Sequence, residues 1–309
     1  MAIVRRLIKS SLEGVASLFA ASGFRRGFAA RGGRLVLAWH NVVPHGERQC
    51  GERSLHMPWQ DFLDQLSVLE TEAEIVPLSR IRDPGVSARR KPLVALTFDD
   101  AYSGAVSAAI PELVRRKLPA TMFVAPGILD RKPFWWDSLA SAETGFLEPG
   151  LREHALTVLR GDGEQVINWA STLRLPIQTL PEHSLGASAQ SVRQITWTDS
   201  IELGAHSWSH ANLAALIPSA LADELKRPMD WIRESGVIRP VTISYPYGSH
   251  SREVDLAATA VGYSAAFRVD GGWIAEGRVS DFVLPRFNVP AGLSIAGLQA
   301  RLGGWWPLR

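Results

Sequence analysis

Short apolar runs alternate along this chain with longer stretches whose apolar residues recur at helical spacing. In "MPWQDFLDQLSVLET", for example, Trp59, Phe62, Leu66 and Leu69 fall on one face of a predicted helix. The predicted strands are "RLVLAWHNVVP", "EIVPLS", "LVALTF", "ATMFVAP", "IELGAHSWSH", "PVTISYPYG", "SAAFRV" and "FVLPRFNVP". Because strands that alternate with helices form parallel βαβ units, we expect an α/β sheet or barrel.

The pattern also divides the chain into regions. Residues 34–295 carry the alternation of strands and helices and are predicted to form one domain. Within it, residues 131–195 show helical segments and proline breaks but no strong strand, which indicates an inserted, mainly helical segment. Residues 1–33 form a basic arm, and residues 296–309 are predicted to be a C-terminal tail.

The N-terminal arm has an amphipathic pattern. Its apolar residues share one helical face with basic residues beside it, and they are Val4, Ile8, Leu12, Val15 and Phe19. Such a face fits an anionic membrane surface, and packing on the chain's own domain is the alternative. No run reaches the roughly 20 apolar residues of a transmembrane helix. We therefore expect a cytoplasmic protein, peripheral at the membrane if the arm binds lipid.

Composition narrows the function further. The formal net charge is +2, so the overall charge does not point to nucleic acid. One cysteine allows no intrachain disulfide, which fits a reducing compartment. The chain has 11 tryptophans, and an excess of this residue suits proteins that stack on the flat faces of sugar rings.

Polar residues follow three of the predicted strands. Asp99 and Asp100 end "LVALTFDD", His206 and His210 lie in "GAHSWSH", and residues 244–250 read "SYPYGSH". Functional residues gather at the carboxyl edge of parallel sheets. His206 and His210 are four residues apart, which would place both imidazoles on one face of a helical turn. Together with one carboxylate they can form a divalent metal site that leaves positions open for water and substrate. The alternatives are a helix N-cap for the aspartates and an ordinary turn for the third segment.

In this order, "TFDD", "HSWSH" and "YPYG" resemble the first three motifs of the polysaccharide deacetylase domain, carbohydrate esterase family 4, over residues 34–290. The resemblance implies a distorted (β/α) barrel and metal-dependent hydrolysis of N-acetyl groups. It implies that Asp99 is the general base and that a divalent metal, usually zinc, is held by Asp100, His206 and His210. The turn that would contact substrate and stabilise the oxyanion through a backbone N–H comprises Pro246, Tyr247 and Gly248.

Two features depart from the family pattern. Ser244 stands where the family usually has an arginine that orients the catalytic aspartate, and Arg286 in "LPRF" is our candidate replacement. The usual C-terminal histidine motif is missing, since no histidine follows His250. His40 in "LAWHNV" is our candidate acid, because some biofilm poly-N-acetylglucosamine deacetylases resemble a circularly permuted domain with this strand first. A structural role for His40 is the alternative, and His250 is a weaker candidate.

Other residues receive less specific interpretations. Trp135 and Trp136 lie just beyond a strand and could either stack on sugars or anchor the inserted helices. The histidines that we interpret as loop or surface residues are His45, His56, His154 and His183.

We therefore expect a metal-dependent N-deacetylase that acts on an N-acetylated amino sugar. The "YPYG" variant and the insertion are similar to members associated with bacterial exopolysaccharides, so a polysaccharide or its lipid-linked precursor is the expected substrate. The alternatives are an O-deacetylase or a deformylase acting on a lipid-linked sugar, and a catalytically silent glycan-binding module.

Overall fold

The structure is a computed structural model that describes residues 33–83, 85, 90–274 and 280–304. The predicted amphipathic arm, with its proposed membrane contact, lies outside these residues. None of the helices in the described part is long and apolar enough to cross a bilayer.

Strands and helices alternate along the described chain. The strands are β1 (Arg34–Trp39), β2 (Asn41–Val43), β3 (His56–Pro58), β4 (Glu74–Ile75), β5 (Leu93–Phe98), β6 (Ala120–Val124), β7 (Ile201–Ala205), β8 (Ile243–Ser244), β9 (Ala266–Phe267) and β10 (Phe287–Asn288). The α-helices are α1 (Trp59–Glu72), α2 (Leu78–Arg82), α3 (Ile110–Arg116), α4 (Trp135–Ser138), α5 (Pro149–Thr157), α6 (Gly163–Thr172), α7 (Ala189–Ile195), α8 (Pro218–Glu234), α9 (Arg252–Val261) and α10 (Ile295–Leu302).

A parallel sheet with the order β10-β1-β5-β6-β7-β8-β9 forms the centre of the fold, and β4 pairs with the first residues of β5. β1 and β5 are buried along their whole length, which fits their sequences, apolar at every position except Arg34 and Thr97. Trp39 pairs with Phe98 at the carboxyl end of these strands, and the Asp99 N–H donates to the Trp39 carbonyl at 2.9 Å. This register places His40 beside Asp99.

The sheet curls back on itself. Phe267 of β9 forms a parallel bridge with Leu284, which precedes β10 in the chain. The Arg268 N–H also donates to the Leu284 carbonyl at 2.8 Å, and the Gly271 N–H donates to the Arg286 carbonyl at 2.9 Å. These contacts bring the two ends of the sheet together, so the prediction of a distorted (β/α) barrel is confirmed.

The last strands are shorter than predicted. β8 and β10 each contain two residues, although the apolar runs around them are longer. Pro246 follows β8 closely and Pro285 precedes β10. Proline has no N–H to donate to a neighbouring strand, so it limits how far each pairing extends.

The segment predicted as a C-terminal tail begins with a helix that belongs to the domain. Leu298 and Leu302 of α10 are buried in the same core cluster as Leu66 and Leu69 of α1. This apolar contact corrects the boundary, since α10 packs as part of the barrel's helical layer.

Helices α4 to α7 lie between β6 and β7, within the predicted insertion. Two antiparallel bridges involve this segment: Gly186 pairs with Tyr102, which lies outside it, and Pro133 pairs with Leu185 within it. The first of them ties the insertion to the loop that follows Asp100. The insertion therefore forms one wall of the region beyond the carboxyl ends of the strands.

Candidate active site

The chain turns sharply directly after β5. Asp100 and Ala101 have φ angles of 71° and 56°, in the left-handed region that residues with a Cβ rarely occupy. Both aspartate side chains are buried, and the turn directs them to different partners, Asp99 to Arg286 and Asp100 to His210. Backbone strain of this kind persists where the surrounding structure holds it, commonly at functional sites.

Arg286 binds Asp99 with both ends of its guanidinium. Nη1 donates to Asp99 Oδ1 at 2.8 Å, and Nη2 donates to Oδ2 at 2.6 Å. Nη1 also donates to Thr97 Oγ1 at 3.0 Å, and Nη2 contacts the hydroxyl of Ser244. The small side chain at position 244 thus adjoins the guanidinium of Arg286.

Arg286 also sets the charge state of Asp99. Burial by itself raises the pKa of Asp99, but Arg286 and His206 outweigh burial and hold that pKa well below its usual range. Asp99 is therefore an anion at neutral pH. Its negative charge is balanced by a guanidinium that is itself fully buried.

A second group of side chains forms a candidate metal centre. Asp100 Oδ1 lies 3.4 Å from His206 Nε2 and 3.1 Å from His210 Nε2. The possible ligand atoms of these three buried residues lie within 4.8 Å of one another. Asp100 Oδ1 is buried, and although both Nε2 atoms lie close to it, it accepts no hydrogen bond of good geometry from the described residues. A carboxylate and two imidazoles with an unpaired buried oxygen between them fit a divalent cation.

The second ring nitrogen of His206 fixes its orientation. Nδ1 donates to the Ser244 carbonyl at 2.7 Å, so Nε2 is the nitrogen that faces Asp100. Burial lowers the pKa of His206 to about 4, and the imidazole is therefore neutral at physiological pH. A neutral imidazole whose other nitrogen donates to a carbonyl is the usual form of a metal-binding histidine.

The segment between the two histidines is a loop, which corrects the expectation of a helical turn. Ser207 and His210 have φ angles of 58° and 61°. This conformation, rather than helical spacing, brings His206 and His210 together, with ring centroids 4.7 Å apart.

His40 lies at the same edge of the sheet and is half-buried. Burial lowers its pKa, and the negative charges of Asp100 and Asp99 oppose that effect. His250 has different neighbours, since its Nε2 lies 3.3 Å from Arg268 and its Nδ1 lies 3.5 Å from Asp255. His40 is the better placed of the two histidines with respect to the aspartates.

Aromatic side chains enclose His210. The ring of Trp136 lies 4.7 Å from the imidazole centroid and the ring of Tyr247 lies 4.6 Å away, while Trp135 Nε1 donates to the Tyr247 hydroxyl at 3.3 Å. Trp135 and Trp136 are 4% and 5% exposed. Neither indole offers an open face for stacking on a sugar, so the alternative of a hydrophobic anchor describes them better.

The YPYG segment forms a tight turn. Residues Pro246–Gly248 make one 3-10 turn, in which Tyr247 has a φ angle of 60°. Burial raises the pKa of the Tyr247 phenol, which therefore stays protonated at physiological pH. This turn follows β8 and borders the candidate metal centre through the contact between Tyr247 and His210.

A buried chain of hydrogen bonds that ends at Trp136 was not predicted from the sequence. Asn41 Nδ2 donates to His56 Nδ1 at 2.9 Å, and His56 Nε2 donates to Asp137 Oδ1 at 2.9 Å. The Tyr102 hydroxyl donates to Asp137 Oδ2 at 2.7 Å and accepts from Trp136 Nε1 at 2.7 Å. The chain thus runs from the residue after His40 to the indole that contacts His210.

Two of the surface assignments are corrected by these contacts. His56 is fully buried against Asp137, and His183 is 6% exposed with its carbonyl accepting from Asn41. No motif marks either residue, because their partners lie far away in sequence. The one local signal is Asp137 itself, an acidic residue that directly follows the apolar run "PFWW".

Comparison with known proteins agrees with this fold. The chain superimposes on PplD, a Streptococcus pyogenes deacetylase solved with acetate, with a TM-score of 0.59, 14% identity and coverage of 88% of this chain and 98% of that one. IcaB from Ammonifex degensii gives a TM-score of 0.59, 17% identity and coverage of 89% and 97%. A de-N-acetylase from Aggregatibacter actinomycetemcomitans gives a TM-score of 0.57 at 18% identity, with coverage of 86% of this chain and 98% of that one.

The sequence itself carries the family relationship. None of the curated proteins compared with this chain matches it. The family model described as polysaccharide deacetylase matches residues 87–266, which is more than half of the chain and includes both aspartates and both histidines of the site. The chain therefore belongs to the polysaccharide deacetylase family.

Proposed function

We propose that this protein is a metal-dependent N-deacetylase of an amino sugar within a bacterial exopolysaccharide or its lipid-linked precursor. One observation carries the proposal. A carboxylate held by a buried guanidinium, Asp99 with Arg286, lies beside the ligand set of Asp100, His206 and His210. Hydrolysis of an unreactive amide needs a base and an electrophile at one place. Here Asp99 would be the base, and the ligand set beside it would hold the cation that acts as the electrophile.

The ligand set fits zinc best. Two imidazoles and one carboxylate are one of the three-ligand sets that hold catalytic zinc and leave a position open. When bound there, zinc would supply Lewis acidity for hydrolysis of an acyl group. The low pKa of His206 and the unpaired oxygen of Asp100 support this assignment, because both groups are ready to bind a cation without first losing a proton.

Asp99 is the proposed general base. Its Oδ atoms are anionic at neutral pH, so one of them can accept a proton as water attacks the acyl carbon. Arg286 holds the carboxylate in one orientation through two charge-assisted hydrogen bonds. The guanidinium thus takes over the positioning role that the family usually gives to an arginine at the position of Ser244.

His40 is the proposed acid, and the turn at Tyr247 is the proposed oxyanion site. Hydrolysis forms a C–O bond to water and breaks the C–N bond of the amide, so the departing nitrogen must gain a proton. Protonated His40 would donate it at the edge of the sheet that also carries Asp99. The Tyr247 N–H would stabilise the negative charge that develops on the acyl oxygen.

The substrate class is supported by the family and by its relatives. The matched family is named for polysaccharide deacetylation, the Aggregatibacter protein is described as a de-N-acetylase, and the Streptococcus protein was solved with acetate, which is the second product of deacetylation.

The test is product analysis on the metal-stripped protein reloaded with zinc. Given an oligomer of N-acetylated amino sugar, the loaded protein is expected to release acetate and free amine in equal amounts, as measured by mass spectrometry. His206→Ala should lose both zinc and activity, while Asp223→Ala on the exposed side of α8 should lose neither. The proposal would be contradicted if acetate were released only from O-acetylated sugars, or if the protein bound the glycan without releasing acetate.

A further inference from the structure

The loop that carries both histidines of the candidate metal centre donates three hydrogen bonds to one carboxylate, which lies outside the metal centre. Glu224 Oε2 accepts hydrogen bonds from the backbone N–H groups of Trp208 and Ser209, each at 2.9 Å. Its Oε1 accepts from the Ser209 hydroxyl at 2.7 Å. All three contacts lie between His206 and His210, and Glu224 itself is too distant in sequence to belong to the motif.

Helix α8 presents Glu224 to this loop because of its apolar pattern. Leu221 and Leu225 are buried in the core on either side of Glu224, so the helix has a fixed orientation. Arg227, one turn further along, lies with its guanidinium carbon 3.8 Å from the ring centroid of Trp208. The same helix face therefore contacts both the backbone and the side chain of the loop.

The opposite side of the loop is also constrained. The Gly127 N–H donates to the Trp208 carbonyl at 2.7 Å, and a Cβ at Gly127 would come within 2.6 Å of that oxygen. Trp208 is thus held between Gly127 and Glu224. Ser207 and His210, which flank the held residues, both have left-handed φ angles that are costly for residues with a Cβ.

We propose that Glu224 is a positioning residue that holds the loop in the strained conformation required for His206 and His210 to bind one metal ion. Without the carboxylate, the loop would relax toward ordinary backbone angles and the two imidazoles would separate. Partners behind metal ligands typically contribute about 10- to 100-fold to metal affinity. This inference rests on the metal site named in the proposed function.

The experiment measures zinc affinity of the metal-stripped full chain by competition with a chromophoric chelator. Glu224→Ala removes the three contacts, and Glu224→Asp retracts the carboxylate by one methylene while keeping its charge. Both variants are expected to weaken zinc binding by about 10- to 100-fold. Glu224→Gln can accept both backbone hydrogen bonds through its amide oxygen, so its affinity should stay within about threefold of the natural protein.

Asp223→Ala is the matched control, since it removes the neighbouring, exposed carboxylate of the same helix. Its zinc affinity should be unchanged. The inference is overturned if Glu224→Ala and Glu224→Asp bind zinc as the natural protein does, if Glu224→Gln loses as much affinity as they do, or if Asp223→Ala loses as much.

Circular dichroism and thermal melting of the zinc-free proteins separate positioning from folding. The metal-free variants should retain the natural far-UV spectrum, and if Glu224→Ala fails to fold, the comparison of Glu224→Asp with Glu224→Gln decides. Failure of the metal site itself gives a different result: the natural protein would then bind no zinc, or would bind it equally well after His206→Ala.

Discussion

Arg286 and Asp99 form a buried, two-point ion pair across 187 positions of the sequence, with contacts of 2.8 and 2.6 Å. Neither residue is more than about 1% exposed. Because the carboxylate is almost completely shielded from bulk water, its charge depends chiefly on this guanidinium, with His206 adding to the effect. The pair therefore links the stability of the barrel to the charge of the proposed base.

Removal of the guanidinium should destabilise the fold in a pH-dependent way. Arg286→Met leaves Asp99 buried and unpaired, which is expected to lower the free energy of unfolding at pH 7 by about 3–5 kcal/mol. In the natural protein the depressed pKa of Asp99 contributes stability that is present above the unfolded value, about 3.9, and is lost as the pH falls toward the lower folded value. In Arg286→Met, burial instead raises the pKa of Asp99, so the deficit should shrink on acidification.

Urea unfolding of both proteins between pH 3 and pH 8 checks this expectation. The double variant Arg286→Met with Asp99→Leu removes the unpaired charge as well and should recover part of the loss. A deficit that stayed constant across the whole pH range would show that packing, and not the charge of Asp99, causes it.

Replacement of the proposed base should separate turnover from metal binding. Asp99→Asn removes a proton acceptor but leaves Asp100, His206 and His210 unchanged, so zinc should stay bound while kcat falls by about 10²- to 10⁴-fold. Kinetics and zinc content of the same preparation provide the measurement. Near-natural turnover in this variant would exclude Asp99 as the base.

The two candidate acids can be compared directly. His40→Ala should lower kcat by about 10²- to 10⁴-fold and abolish the limb of the pH–rate profile that reports deprotonation of the acid. Since burial lowers the pKa of His40, that limb should lie at lower pH than an ordinary histidine would give. His250→Ala should leave the profile unchanged. A normal profile in His40→Ala would assign the proton to another group.

The buried hydrogen bonds through Asp137 should contribute both to the stability of the fold and to the activity of the site. Tyr102→Phe leaves Asp137 Oδ2 and Trp136 Nε1 without their shared partner, which is expected to cost about 1–3 kcal/mol and to lower activity because Trp136 packs on His210. Tyr263→Phe is the matched control, since its hydroxyl donates to the Leu225 carbonyl at 2.7 Å in a different core cluster.

Urea unfolding and kinetics of both phenylalanine variants test this coupling. Tyr263→Phe should lose about as much stability as Tyr102→Phe does, but it should keep the activity of the natural protein. If Tyr102→Phe were equally unstable but fully active, the hydrogen bonds through Asp137 would contribute to folding and not to activity.

Local sequence pattern determined much of this protein. Continuous apolar runs predict parallel strands buried on both faces, and β1 and β5 have that form. Motif residues that directly follow such strands are bound to meet at one edge of the sheet. For this reason the sequence alone predicts that Asp99, Asp100, His206 and His210 lie close together.

Tertiary structure decided the remaining contacts. Arg286 reaches Asp99 because the sheet curls until β9 meets the chain before β10, and the degree of curvature is not encoded in any short segment. His56 is buried because Asp137 arrives from the insertion, 81 positions away. Glu224 holds the histidine loop because the packing of α8 fixes its direction. Periodicity reports which face of an element is buried, whereas the partner on that face depends on how all the elements pack together.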